Sequence, residues 1–119
     1  MKDLAPHVFR QRLLMEGLYT IELSRETLAA YLHGVATHLG LTAYGEPVIY
    51  SPAGLGKAEN QGFDAFLPLV DSGISTYVWS AARFFSIVLY TCKGFDTAAA
   101  VAYTREFFDA NGEIESLSF

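Results

Sequence analysis

Cysteine occurs once in this chain, at Cys92. No internal disulfide can form, and a reducing, cytoplasmic setting is expected. Lysine and arginine number eight against thirteen acidic residues, they form no run, and the net charge is −5. The basic footprint of a nucleic-acid-binding protein is missing, so no nucleic-acid partner is expected. Long apolar runs are missing too. The nearest candidate, Phe84 to Leu89, is strand-sized, and no membrane partner is expected. The opening "MKDLAPHVFRQR" has no apolar stretch typical of a signal peptide. Of the three histidines, His7 is isolated, and His33 and His38 sit five apart on a predicted helix, on different faces. No pair has metal-ligand spacing together with a third ligand. Internal repeats and low-complexity tracts are absent.

What is present is apolar and aromatic. The chain has 119 residues, 51% of them hydrophobic and 18% charged. That is enough for one domain, residues 1–119, with a real core. Nine Phe, seven Tyr and one Trp are more aromatic surface than a small monomer easily hides, which points to a subunit interface or an aromatic pocket.

The pattern along the chain alternates strands with two helices. Residues 12–23, "RLLMEGLYTIEL", read as a strand. Ser24 is placed to cap a helix from Arg25, with Leu28, Tyr31, Leu32, Val35 and Leu39 at helical spacing and Gly40 ending it. "LTAYGEPVIY" reads as a second strand in which Pro47 sets a break or an edge. Residues 51–62 are polar and glycine-rich and form the longest loop. "FDAFLPLV", "ISTYVW" and "RFFSIVLYTC" follow as strands, the last apolar on both faces and so central. Asp96 or Thr97 caps a second helix to about Ala110, with Ala99, Val101, Ala102, Tyr103 and Phe107 as its apolar stripe, and Asn111-Gly112 stops it. "EIESLSF" closes the chain as a strand. The order is β-α-β-β-β-β-α-β, an α+β two-layer sandwich: an antiparallel sheet with both helices on one face. The other face is left to meet a second copy, so a homodimer is expected.

Three stretches are candidates for chemistry. Gly54-Leu55-Gly56-Lys57 faintly resembles a phosphate loop, but the second Gly-Lys-Ser/Thr element and the following helix are missing, and it reads as a loop. Cys92 ends the central strand next to a loop-to-helix junction. There it is either a small buried hydrophobe or a proton donor or nucleophile. Asp71-Ser72-Gly73 lies between two strands and is either an ordinary turn or a place where Ser72 reacts.

"DSGISTYVW", then twelve residues, then Cys92, resembles the processing and catalytic region of the small prokaryotic pyruvoyl-dependent S-adenosylmethionine decarboxylases. Asp71 and Ser72 match the acidic residue and the serine between which that family cuts its own chain. Trp79 matches the residue that closes the strand, and Thr91-Cys92 the pair that ends the next one. "RLLMEGLY" resembles the family's first strand, and the helix after Phe95 takes the place of its second. The resemblance implies the S-adenosylmethionine decarboxylase fold and a tie to polyamine (spermidine) biosynthesis. It also implies, if the chain is processed, a pyruvoyl cofactor made from Ser72 that serves as the electron sink of a lyase, with Cys92 as proton donor. The departures from the family lie around these positions. Its processing histidine falls on Tyr77, and an ordinary phenol titrates near 10, about three units too high for work at neutrality. Its second processing serine falls near Asp64, a substrate-binding glutamate falls on Ala81, and a histidine after the serine is Gly73. Three readings stay open. The first is a divergent, poorly or not self-processed protein, a pseudoenzyme related to polyamine synthesis. The second is an active decarboxylase of S-adenosylmethionine or another amino acid, with Tyr77 or Asp64 aiding autoprocessing. The third is a small-ligand-binding or regulatory module that uses the family crevice.

Overall fold

The computed structural model describes residues 1–51 and 55–119. Gly54, part of the glycine-rich stretch named above, lies outside them. The elements are β1 (Gln11–Leu18), α1 (Arg25–His38), β2 (Val48–Tyr50), β3 (Gly62–Leu69), β4 (Ser72–Trp79), β5 (Phe84–Thr91), α2 (Thr97–Phe108) and β6 (Glu115–Ser118), with one turn of 3-10 helix at Ala58–Asn60. The sheet runs β2-β3-β4-β5-β1-β6, and every pairing is antiparallel. The expected two-layer α+β sandwich is what forms, with β5 inside the sheet.

Strand alternation sorts the side chains. Leu13 and Met15 of β1, Leu67 and Leu69 of β3, Ile74 and Val78 of β4, and Phe85, Ile87 and Leu89 of β5 are buried under the helices. Helix α1 contributes Leu28, Tyr31, Leu32 and Val35 to the same core. Its cap is as expected: the Ser24 hydroxyl accepts from the Thr27 N–H. Asp96 does the same for α2 through the Ala99 N–H.

The stripe of α2 is rotated from the expected one. Ala100, Thr104 and Phe108 are its buried residues. A threonine hides this stripe from a hydrophobic count, yet it is satisfied inside: its hydroxyl donates to the Ala100 carbonyl and meets the Tyr31 hydroxyl, each at 2.8 Å. Burial pushes the Tyr31 phenol well above its ordinary titration range, so it stays protonated as a donor. Phe108 stacks on Phe85 at 4.5 Å and packs against Tyr31 at 4.7 Å. Much of the aromatic content is therefore core. The helix ends with Asp109 in the left-handed region (φ 45), earlier than Asn111-Gly112.

Two strand boundaries also differ from the sequence reading. The first strand stops at Leu18 instead of running to Leu23, because the Arg83 guanidinium takes the carbonyls of Tyr19, Thr20 and Ile21 out of the ladder. The expected second strand splits in two. Ala43 bridges to Leu69, and pairing with β3 resumes only at Val48. Pro47 stands in the gap, as a residue with no N–H to donate must.

The sheet face turned away from the helices carries Tyr50, Phe66, Tyr77, Tyr90 and Leu117, all more than two-fifths exposed. Among the described residues no helix is long and apolar enough to cross a membrane.

Candidate functional site

The β3–β4 hairpin is closed by the pair Leu69 and Ser72. The turn is therefore Val70-Asp71, and Ser72 and Gly73 already belong to β4. Asp71 takes φ 55, a left-handed conformation that Asp tolerates because its short polar side chain suits turns. The hairpin is pinned from outside: the Val70 N–H donates to the Thr42 carbonyl at 2.9 Å and the Tyr44 N–H to the Pro68 carbonyl at 3.1 Å. Gly73 is buried. A Cβ added there would lie 2.6 Å from the Phe66 ring, so the ring occupies the space that a larger residue after Ser72 would need.

Cys92 reaches the same place from β5. Its loop is held by Gln11, whose amide donates to the Phe95 carbonyl at 2.9 Å and accepts from the Phe95 N–H at 3.0 Å. Lys93 donates to the Gly40 carbonyl at 2.8 Å, at the end of α1 where carbonyls are free and a cation is favoured. The Cys92 backbone N–H donates to the Ser72 hydroxyl oxygen at 3.1 Å. The Cys92 thiol is exposed and lines a cleft of about 330 Å³ with Thr42, Asp71 and Lys93 beneath the end of α1. A second hollow of about 360 Å³, on the open face, is lined by Phe66, Asp71, Ser72, Val88 and Tyr90. The Asp71–Ser72 peptide thus lies between two hollows.

Ser72, Asp71 and Cys92 are brought together. Tyr77 and Asp64 are not. They are register partners of each other, five rungs along the β3–β4 ladder from the Leu69–Ser72 pair, or about 17 Å at the usual strand rise. They also belong to the open face, whereas Ser72 falls in alternation with the buried Ile74, Thr76 and Val78. Ala81 lies in the exposed β4–β5 turn.

This arrangement has a chemical consequence. A serine hydroxyl that attacks a carbonyl must pass its proton to a base. The hydrogen bond made by Ser72 Oγ is one it accepts, from a backbone N–H. Among the described residues no carboxylate, imidazole or amine is hydrogen-bonded to it. Within one chain, the groups hydrogen-bonded to Ser72 Oγ supply no base for that step.

Two of the three histidines make contacts within the fold. His33 bonds Glu46 at 3.1 Å, and His38 packs on Tyr103 at 5.1 Å. No group of three metal-ligating side chains occurs among the described residues. Sequence reasoning passed over Tyr50 and Asn60. Tyr50 is the rung partner of Asp64 on β2, and Asn60 accepts from the Trp79 indole N–H at 3.1 Å. Neither relation is legible before the register is known.

No protein-family model matches the chain, and no curated protein sequence does. Among solved structures it is similar to the crystal structure of the adenosylmethionine decarboxylase from Aquifex aeolicus VF5. The TM-score is 0.69 and the identity 18%, over 94% of this chain and 89% of that one. The fold is thus of the adenosylmethionine decarboxylase type.

Proposed function

We propose that this chain is a divergent relative of the S-adenosylmethionine decarboxylases that keeps Ser72 as an ordinary serine, is poorly or not self-processed, and serves polyamine (spermidine) metabolism in the cytoplasm by association instead of pyruvoyl catalysis. The observation that carries this reading is the state of Ser72: its oxygen accepts a hydrogen bond from the Cys92 N–H and is hydrogen-bonded to no base among the described residues. The hairpin then works as a turn that joins β3 to β4.

The chain acts as a homodimer. The helices cover one sheet face, while Tyr50, Phe66, Tyr77, Tyr90, Leu117 and Phe119 leave apolar surface on the other. Exposed apolar side chains grouped on one face mark an association surface, here with Asp64, Glu16 and Glu115 on the same face.

Intact mass after expression tests the reading. One species near 13.1 kDa is expected. Two fragments split after Asp71, with the second carrying a carbonyl that hydroxylamine traps, would refute it and establish the pyruvoyl decarboxylase. Light scattering should give twice the chain mass at micromolar concentration, and a monomer would refute the association.

A further inference from the structure

We propose that β1 carries a self-complementary charge pair, Arg12 and Glu16, that sets which way round a second copy lies on the open face. This orientation rests on the association proposed above and adds its register. Along β1, Arg12, Leu14 and Glu16 alternate with the buried Leu13, Met15 and Gly17, so the first three belong to the open face. They read cation, apolar, anion. Arg12 and Glu16 lie four residues apart, about 13 Å at the usual strand rise, with Leu14 midway. A two-fold axis that crosses the strand at Leu14 sets Leu14 on its own copy, Arg12 over Glu16 of the partner subunit, and Glu16 over Arg12 of the partner subunit. A two-fold contact makes every such pair twice. Stacked sheets lie about 10 Å apart, a gap that an arginine and a glutamate reaching from opposite sides can span.

Both groups are available for this pairing. Among the described residues neither forms an ion pair. The Arg12 Nε is buried with no hydrogen-bond partner, and the guanidinium sits over the Phe119 ring at 5.3 Å. A guanidinium already stacked and planar gives up less freedom when it pairs. Glu16 accepts from the Ser86 hydroxyl through Oε2 at 2.7 Å, which fixes the carboxylate without neutralising it. The rest of the face selects the same axis. Asp64, Glu16 and Glu115 lie in one row across the sheet, through Tyr77 and Ser86. Arg12 lies in the row of Tyr90. An axis along the strands would set the acidic row upon itself and Arg12 on the basic row, like charge on like, which an interface avoids. The axis across the strands sets the acidic row against the row of Arg12. It also sets the row of Phe66, Val88, Leu14 and Leu117 upon itself. Asp64 and Glu115 have no cation opposite, and they lie toward the two edges of the sheet, where water can keep them hydrated.

Arg12→Glu and Glu16→Arg are made separately and in one chain. Light scattering and native mass spectrometry read the assembly at the micromolar concentration used for the parent. Each single variant sets like charge on like twice over, so its dimer should dissociate roughly a hundredfold more readily and run as a monomer. An equimolar mixture of the two single variants should form a dimer with one chain of each, because both pairs across the contact are then opposite in charge. Chains that had merely failed to fold would not recover on mixing. The chain with both changes should dimerise like the parent. The proposal fails, with the association intact, if the parent is a dimer and the single variants stay dimers. It fails in the same way if they become monomers that neither mixing nor the double change restores. A parent that is itself a monomer refutes the association, and this orientation with it.

Discussion

Gly62 opens β3 and pairs with Trp79 at the end of β4. A Cβ at this position would lie 1.8 Å from the Val78 carbonyl oxygen and 2.7 Å from its carbon. Both are backbone atoms, so no rotamer change relieves the clash. Gly62→Ala must push the start of β3 off β4, which breaks the Gly62–Trp79 pair and strains the adjoining Ser80 N–H to Gln61 carbonyl bond of 2.9 Å. Two backbone hydrogen bonds at about 1 kcal/mol each, plus residual overpacking, give a destabilisation of about 2–3 kcal/mol. For a chain of this length that lowers Tm by roughly 10 °C. The same shift moves the Trp79 indole from Asn60, so its emission should change in the native state, before any unfolding. Thermal unfolding followed by circular dichroism gives the first quantity and Trp79 fluorescence the second. A Tm within about 2 °C of the parent together with an unaltered native spectrum would refute the reasoning, because it would mean that this end of the ladder yields freely.

Cys92 lies exposed in its cleft and should be alkylated by a small reagent in the native protein; protection until denaturation would show that the cleft is closed. Tyr31→Phe removes the donor to Thr104 but leaves the Thr104 bond to Ala100 in place, so a loss of about 1 kcal/mol is expected in urea unfolding, against about 3–5 kcal/mol for Tyr31→Ala, which opens a cavity. Thr76 is fully buried, and its hydroxyl has no hydrogen-bond partner among the described residues. Thr76→Val should therefore leave stability unchanged or raise it by up to about 1 kcal/mol, and a clear loss by the same measurement would reveal a partner for that hydroxyl.

The parts of the fold legible in the sequence are those that a period and a cap announce. Ser24 marked where the first helix begins and Asp96 or Thr97 where the second does, because a short polar side chain before an apolar stripe has one good use there; the cap is Asp96. β5 was read as apolar on both faces, yet its burial alternates, with Phe85, Ile87 and Leu89 under the helices. The strand ends were not legible where another element claims the backbone: nothing local in Tyr19–Leu23 says that Arg83, more than sixty residues on, takes its carbonyls. The α2 stripe was misphased because Thr104 is polar by type and core by position. At the candidate site, Asp71, Ser72 and Cys92 could be placed together from a family likeness, whereas the pairing of Asp64 with Tyr77 and Tyr50 depends on register. Register is set by hairpin geometry and by the buried face together, not by any short motif.

Register also decides what Tyr77 and Asp64 can do to Ser72. Within one chain they stand five rungs away, about 17 Å, and a tyrosine side chain spans less than half of that. Moving β3 or β4 by five residues would break the whole ladder and turn the buried side chains out. No local rearrangement of one chain therefore brings either residue to the hydroxyl. A second copy is different. Two open faces stacked about an axis across the strands would set the Trp79 end of one β4 against the Ser72 end of the other, with Ser72 itself alternating to the helix-covered side. If fragments are found in the intact-mass experiment, Tyr77 and Asp64 can have acted only from the partner. A mixture of Ser72→Ala chains with Tyr77→Phe, Asp64→Asn chains then decides the matter. Cleavage of the double variant in the mixture, with none in either preparation alone, is the expected pattern for action across the dimer. Cleavage of the double variant alone would remove both residues from the reaction.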